Sequence, residues 1–134
     1  MIKKWVARAA VTAAAGIAMI AGITSPAYAA DTVYDLVYQD ILVGDMWHID
    51  DGDKFRVYDW YKDGHGIEGT LQVWIISSSK WADKESAYNN TGAGTYVGFQ
   101  NDVLNGFTYR MKVCLQDGAS DTTPIKCGYK TFGE

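Results

Sequence analysis

Residues 67–75 alternate without a break, with Ile67, Gly69, Leu71, Val73 and Ile75 on one parity and Glu68, Thr70, Gln72 and Trp74 on the other. A repeat of two belongs to a strand with one face on a core and the other in water, and a helix cannot keep it. The series Phe107, Tyr109, Met111, Val113, Leu115 alternates with Thr108, Arg110, Lys112, Cys114, Gln116 in the same way, as Phe55 and Val57 do with Arg56 and Tyr58. Shorter strand signals cover 46–49, 95–100 and 125–132. The stretch 32–43 carries Val33, Leu36, Val37 and Ile41 at helical spacing, but its Val, Tyr and Ile content favours a strand. Residues 77–94 have no clear period and are expected to form a long connection between sheets, with a helical turn near 81–88. About six or seven short strands between glycine turns predict an all-β chain, a small two-sheet β-sandwich of immunoglobulin-like or similar kind.

The two alternating runs on either side of Asp63-Gly64-His65-Gly66 are expected to form a β-hairpin. An odd loop pairs Tyr61 with Ile67, Val57 with Leu71 and Phe55 with Val73, so that the apolar sets share a face. The other face then carries Arg56, Tyr58, Trp60, Glu68, Thr70, Gln72 and Trp74.

The N-terminus has the three parts of a secretory signal. Lys3, Lys4 and Arg8 are followed by an uncharged stretch from Ala9 to Ile23, and Ser25-Pro26 then precedes the small residues Ala27 and Ala29. Cleavage is expected after Ala29, with Ala30 as the alternative, and the uncharged stretch is shorter than the ~20 residues of a membrane span. The expected organisation is a signal peptide over 1–29 and a single domain over 30–134, secreted and free of the membrane after cleavage. All 16 acidic residues lie beyond the signal and 9 of the 12 basic ones do, a net charge of −7 for the mature part. Phosphate recognition needs clustered Lys and Arg, so nucleic acid and anionic membrane are not expected partners.

Cys114 and Cys127 are the only cysteines. In an exported chain they read as one disulfide around a turn-rich segment, worth ~3 kcal/mol in the chain-entropy model. A metal or redox pair is disfavoured, because neither Cys-x-x-Cys spacing nor clustered histidines accompany them. One difficulty is register. If Cys127 lies directly opposite Cys114, Lys126 and Lys130 turn toward the core, a conflict that a bulge or a diagonal bridge would remove.

The combination Val57-Tyr58-Asp59, Asp63-Gly64-His65-Gly66-Ile67 and Lys112-Val113-Cys114-Leu115-Gln116, with a second Cys near the end, resembles small secreted actinomycete proteins of unknown function. The resemblance extends from Asp45 to Tyr129. It implies export, a disulfide and a β-sandwich, and carries over no catalytic residue.

The run Asp50-Asp51-Gly52-Asp53 offers carboxylates to a cation such as calcium, but the same residues make a tight turn, which is the preferred reading, and no metal or other cofactor is expected. Residues 59–70 fail as an EF-hand loop, since Tyr61 and Thr70 stand where ligands are required. No nucleophile elbow, zinc-binding helix or phosphate loop is present, so an enzyme is not expected. Asn89-Asn90-Thr91 has the form of a glycosylation acceptor, set aside because the signal is of bacterial type. Tyr58, Trp60, Trp74 and Trp81 are the candidate binding residues, either exposed as an aromatic platform or covered by 77–94 as a second core layer. The expected function is a secreted, non-enzymatic binding domain for a cell-wall or environmental polysaccharide or an extracellular protein. The alternatives are an inhibitor of a secreted hydrolase that uses the segment 116–126, and a small hydrolase that uses His65 with Asp59 or Asp63.

Overall fold

The computed structural model describes residues 30–134, and the expected signal segment with Ala29 lies outside them. Eight strands run in chain order: β1 Thr32–Tyr38, β2 Ile41–Ile49, β3 Lys54–Asp59, β4 Gly66–Ile75, β5 Lys80–Asn89, β6 Thr95–Gln100, β7 Thr108–Gln116 and β8 Lys126–Gly133. They form two antiparallel four-stranded sheets, β1-β2-β3-β6 and β5-β4-β7-β8. The second and third strands share a sheet here, whereas an immunoglobulin domain separates them. The wider sandwich class therefore describes the fold. Among the described residues no helix is long and apolar enough to cross a membrane.

The alternating parities fill the space between the sheets. Met46, Phe55 and Val57 of the first sheet face Ile67, Leu71, Tyr109, Met111, Val113 and Leu115 of the second, all buried. Each large apolar side chain removed from water in this way contributes ~1.5–3 kcal/mol. The sheets approach closely at Gly69, where a Cβ would overlap Val57 and Met46 of the opposite sheet. Phe107, the first residue of its alternating series, precedes β7 and is exposed.

Three expectations are corrected. The first is the hairpin over 54–75. β3 pairs with β2 and β6, and β4 with β5 and β7. Segment 60–65 is thus a corner that carries the chain from one sheet to the other. The inward set is legible all the same, because apolar parity is identical whether two strands pair side by side or face each other across a core. The second is the connection over 77–94, most of which is β5, paired along β4 with a register shift at Leu71/Gln72 and containing no helical turn. An edge strand with few buried residues and a bulge loses its period of two. The sheet-to-sheet crossing that follows it is confined to 90–94. The third is the expected bulge or diagonal bridge at the cysteines. Cys114 and Cys127 are direct partners, with Cα atoms 4.1 Å apart and an unbroken register through β7 and β8. Lys126 and Lys130 remain exposed because β8 is the sheet edge, beyond which long side chains reach water. The stretch 32–43 is strand, but it is divided at Gln39 and Asp40, whose positive φ values of 52° and 63° make a two-residue hairpin turn.

Asn89 joins the sheets at the crossover. It ends β5 with no exposed surface, and its Nδ2 donates to the Val57 carbonyl at 3.1 Å and the Thr95 carbonyl at 2.7 Å. Its Oδ1 accepts from the Thr91 backbone N–H at 3.0 Å and the Thr91 hydroxyl at 2.8 Å. In this fold the acceptor-like asparagine is a fully bonded core residue.

Candidate functional site

Because Met46, Phe55 and Val57 occupy the inward parity, β2 and β3 turn Asp45, Trp47, Arg56 and Tyr58 to the outer face of the first sheet. Register aligns Asp45 with Tyr58 and Tyr58 with Tyr96, while Trp47 lies opposite Arg56. Trp60 follows β3, its backbone N–H held by the Val43 carbonyl at 3.0 Å. The Asp45 carboxylate organises the group, since Oδ1 accepts the Trp47 indole N–H at 2.9 Å and Oδ2 that of Trp60 at 2.7 Å. The Trp60 and Tyr58 rings stack 4.9 Å apart and 6° from parallel, and Tyr96 meets Tyr58 at 5.1 Å and 45°. The Arg56 guanidinium lies 4.7 Å over the Tyr96 ring. Trp60 remains 39% exposed and Tyr96 51%, whereas Asp45 beneath them is 5% exposed. Ring planes are thus held by a buried anchor and presented to solvent.

Burial pushes the Asp45 carboxyl above its ordinary 3.8, against the lowering effect of the two indole donors. Burial likewise raises Asp59 and Glu68. A raised carboxyl holds its proton more tightly folded than unfolded, so stability falls as pH rises from its ordinary value through the raised one. His65 is raised by its hydrogen bond to Asp117, and its contribution is present below 6.5 and lost as pH rises through the raised value. Among the shifted acids only Asp121 opposes. It is lowered by hydrogen bonds from the Asp117 and Thr123 backbones and the Thr123 hydroxyl, and its contribution is lost as pH falls through the lowered value. Denaturation at a series of pH values is therefore expected to give higher stability near about pH 5 than at 7.5. Asp45→Asn, which keeps one acceptor, should flatten the decline in stability that begins above pH 3.8, and an unchanged decline there would remove Asp45 from the account.

Trp74 and Trp81 lie elsewhere. They pair across β4 and β5 on the outer face of the second sheet, edge to face at 5.3 Å. The expected single platform of Tyr58, Trp60, Trp74 and Trp81 is thus split between opposite sides of the sandwich, because β3 and β4 do not share a sheet. Segment 77–94 covers neither group, since β5 pairs in the plane of its own sheet. On the second face Arg110 lies 4.3 Å from the ring centroids of both Trp81 and Tyr129. Its Nε–H donates to Gln72 Oε1 at 2.6 Å, and Gln72 Nε2 donates to Asp83 Oδ1 at 2.7 Å. Both faces place an arginine over an aromatic ring, Arg110 on the second and Arg56 on the first, and the first adds the near-parallel stack of Tyr58 and Trp60.

At the end of the sandwich where β3, β5 and β7 finish, a cleft of about 560 Å³ is lined by Asp59, Tyr61, Asp63, His65, Tyr88 and Asp117, among others. The His65 ring pairs through Nδ1 with Asp117, while Asp63 Oδ1 accepts the His65 backbone N–H at 2.9 Å. The hydrolase alternative pairs the ring with Asp59 or Asp63, whereas the ring meets Asp117, from a loop 52 residues away in sequence. Among the described residues, no Ser, Thr or Cys lines the cleft.

No protein-family model, no curated protein and no solved structure matches this chain. The case for a function therefore rests on the side chains. Asp45, Trp47 and Tyr96 belong to the strongest candidate face, and no pattern in the sequence singles them out. Trp47 and Tyr96 lie in strands recognisable from the sequence, but the order β2-β3-β6 that brings them to Tyr58 has no local signal.

Proposed function

We propose that this protein is a secreted, non-enzymatic binding domain that holds a polysaccharide on the outer face of its β1-β2-β3-β6 sheet. The observation that carries the reading is the pair of indole N–H groups fixed by one buried carboxylate, Asp45. Rings fixed before binding lose little freedom on contact, and the apolar faces of sugar rings pack on aromatic planes while their hydroxyls reach groups such as Arg56. The three-part N-terminus, the resemblance to secreted actinomycete proteins and the disulfide support export. With Trp60→Ala, retention on insoluble cell-wall glycan is expected to fall by about 30-fold or more, the loss of a central aromatic anchor. Because Asp45 Oδ2 also loses its indole donor, Tm should fall by several degrees, and retention is compared below that lowered Tm. Trp81→Ala should leave retention intact. Equal retention of wild type and Trp60→Ala, or recovery of a stoichiometric protein instead of glycan binding, would reject the polysaccharide reading.

A second reading, inhibition of a secreted hydrolase, is favoured by the pinning of segment 117–125. Asp121 accepts from the Asp117 N–H at 3.0 Å and from the Thr123 N–H and hydroxyl at 2.9 and 3.0 Å. Inhibition by this loop would be weakened by Asp121→Ala and unaffected by Trp60→Ala.

A further inference from the structure

The end of the sandwich opposite the cleft holds a cluster that neither reading uses. The turn between β2 and β3 is formed by residues 50–53, with Gly52 and Asp53 at positive φ of 89° and 47°. The turn expected there is present, and the fold adds a partner to it. His48 has inward parity and is 3% exposed, stacked 4.8 Å from Phe55 and tilted against Phe132 of the other sheet at 4.9 Å. Its Nε2 meets Asp53 Oδ1 at 2.9 Å, and Nδ1 has no partner. The buried Asp50 Oδ1 also has none. Asp53 Oδ2 accepts the Val103 backbone N–H at 2.9 Å, and Asp31 Oδ1 accepts that of Asp50 at 2.9 Å. Among the described residues, no lysine or arginine forms an ion pair with this anionic group.

One ring nitrogen of His48 and one carboxylate oxygen from each of Asp50 and Asp53 lie within 4.8 Å of one another. Two features lack an explanation in a turn alone. A nearly fully buried imidazole has no hydrogen-bond partner outside the cluster, and a buried carboxylate oxygen has none at all, whereas buried polar atoms are almost always satisfied.

We propose that His48, Asp50 and Asp53 form a divalent-metal site of the zinc class. An imidazole with two carboxylates suits zinc and its transition-metal neighbours, whereas calcium takes six to eight oxygens and leaves no role for the ring. Zinc binds such ligands at about 2.1 Å, so the three donors, within 4.8 Å of one another, would draw together around the ion, and water completes the tetrahedron. Coordination through Nε2 requires the neutral ring to carry its one proton on Nδ1, and it replaces the hydrogen bond to Asp53 by a shared cation. Because Asp53 also holds the Val103 N–H, the ion would tie the β2–β3 turn to the chain that crosses from β6 to β7.

The test is thermal unfolding of chelator-stripped protein with and without Zn²⁺, alongside the absorption spectrum of the Co²⁺ form. Zinc at about 100 times its Kd is expected to raise Tm by roughly 10 °C, and Co²⁺ to show the visible bands of a low-symmetry, low-coordinate site. In Asp50→Asn the metal-free Tm should be unchanged, because Oδ1 makes no hydrogen bond, while the zinc-dependent shift should disappear. His48→Gln should lose the shift and the cobalt bands as well. The proposal is overturned if zinc leaves wild-type Tm unaltered, if the shift survives in Asp50→Asn and His48→Gln, or if calcium alone produces it.

Discussion

Asn89→Ala is expected to remove about 4 kcal/mol of folding stability, a large effect for a single polar substitution. The alanine would leave the buried Val57 carbonyl and the partly buried Thr95 carbonyl without their side-chain partner, and would free the N–H of the exposed Thr91 to bind water. Each buried polar group orphaned in this way costs about 1–3 kcal/mol, and nothing in the small cavity left behind restores the bonds. The consequence is mechanical as well as energetic. Asn89 ends β5 in the second sheet and holds β3 and β6 of the first, so its loss frees the 90–94 crossover and one wall of the cleft. A domain of this size shifts by about 4–8 °C per kcal/mol, so Tm should fall by roughly 20 °C. Urea unfolding should show a lower midpoint at an unchanged m-value. A loss below about 1 kcal/mol would mean that water replaces the amide and that the sheets are held by apolar contact alone.

Removal of the disulfide, by reduction or by a Cys114→Ser, Cys127→Ser double substitution, should cost about 3 kcal/mol and roughly 10–20 °C in Tm. The cysteines are 13 apart in sequence, and closing a loop of that length restricts the unfolded chain by about this amount. The folded state should change little, because β7 and β8 already pair from Thr108 to Leu115 without the bridge, and Ile125 N–H binds the Leu115 carbonyl at 2.8 Å. This separation of effects gives the reduced protein diagnostic value. Below its new Tm it should still bind glycan through Trp60 and Tyr96, which lie on the other sheet. Loss of binding on reduction, with the fold intact by circular dichroism, would move the site to the 117–125 loop and favour the inhibitor reading.

Much of the core is legible in the amino-acid sequence. Phe55, Val57, Ile67, Leu71, Met111, Val113 and Leu115 announce their inward parity through a period of two, which is a local property of the pleat. The cysteines announce their bond by number and by the export expected of the chain. The departures share one cause. Alternation states which side of a strand is apolar, but not which strand lies beside it. β3 and β4 therefore carry the pattern of hairpin partners although they face each other across the core. β5 carries the pattern of a connection because an exposed edge imposes no period on its residues. The Gln39-Asp40 turn leaves no clear mark either, since its positive φ values fall on residues other than glycine or asparagine.

The candidate sites divide in the same way. Strand positions apart from β5, the buried set, the bond between the cysteines and the stock of aromatic and acidic side chains are all local or compositional, and the chain displays them unaided. The separation of Trp60 and Trp74 onto opposite faces is not local, nor is the anchoring of two indoles by Asp45. The meeting of His65 with Asp117 and the burial of His48 over Asp50 and Asp53 belong with them. Each of these depends on strand order and on crossings between sheets. Those are set by the packing of the whole core, a sum over contacts distant in sequence that no local pattern encodes.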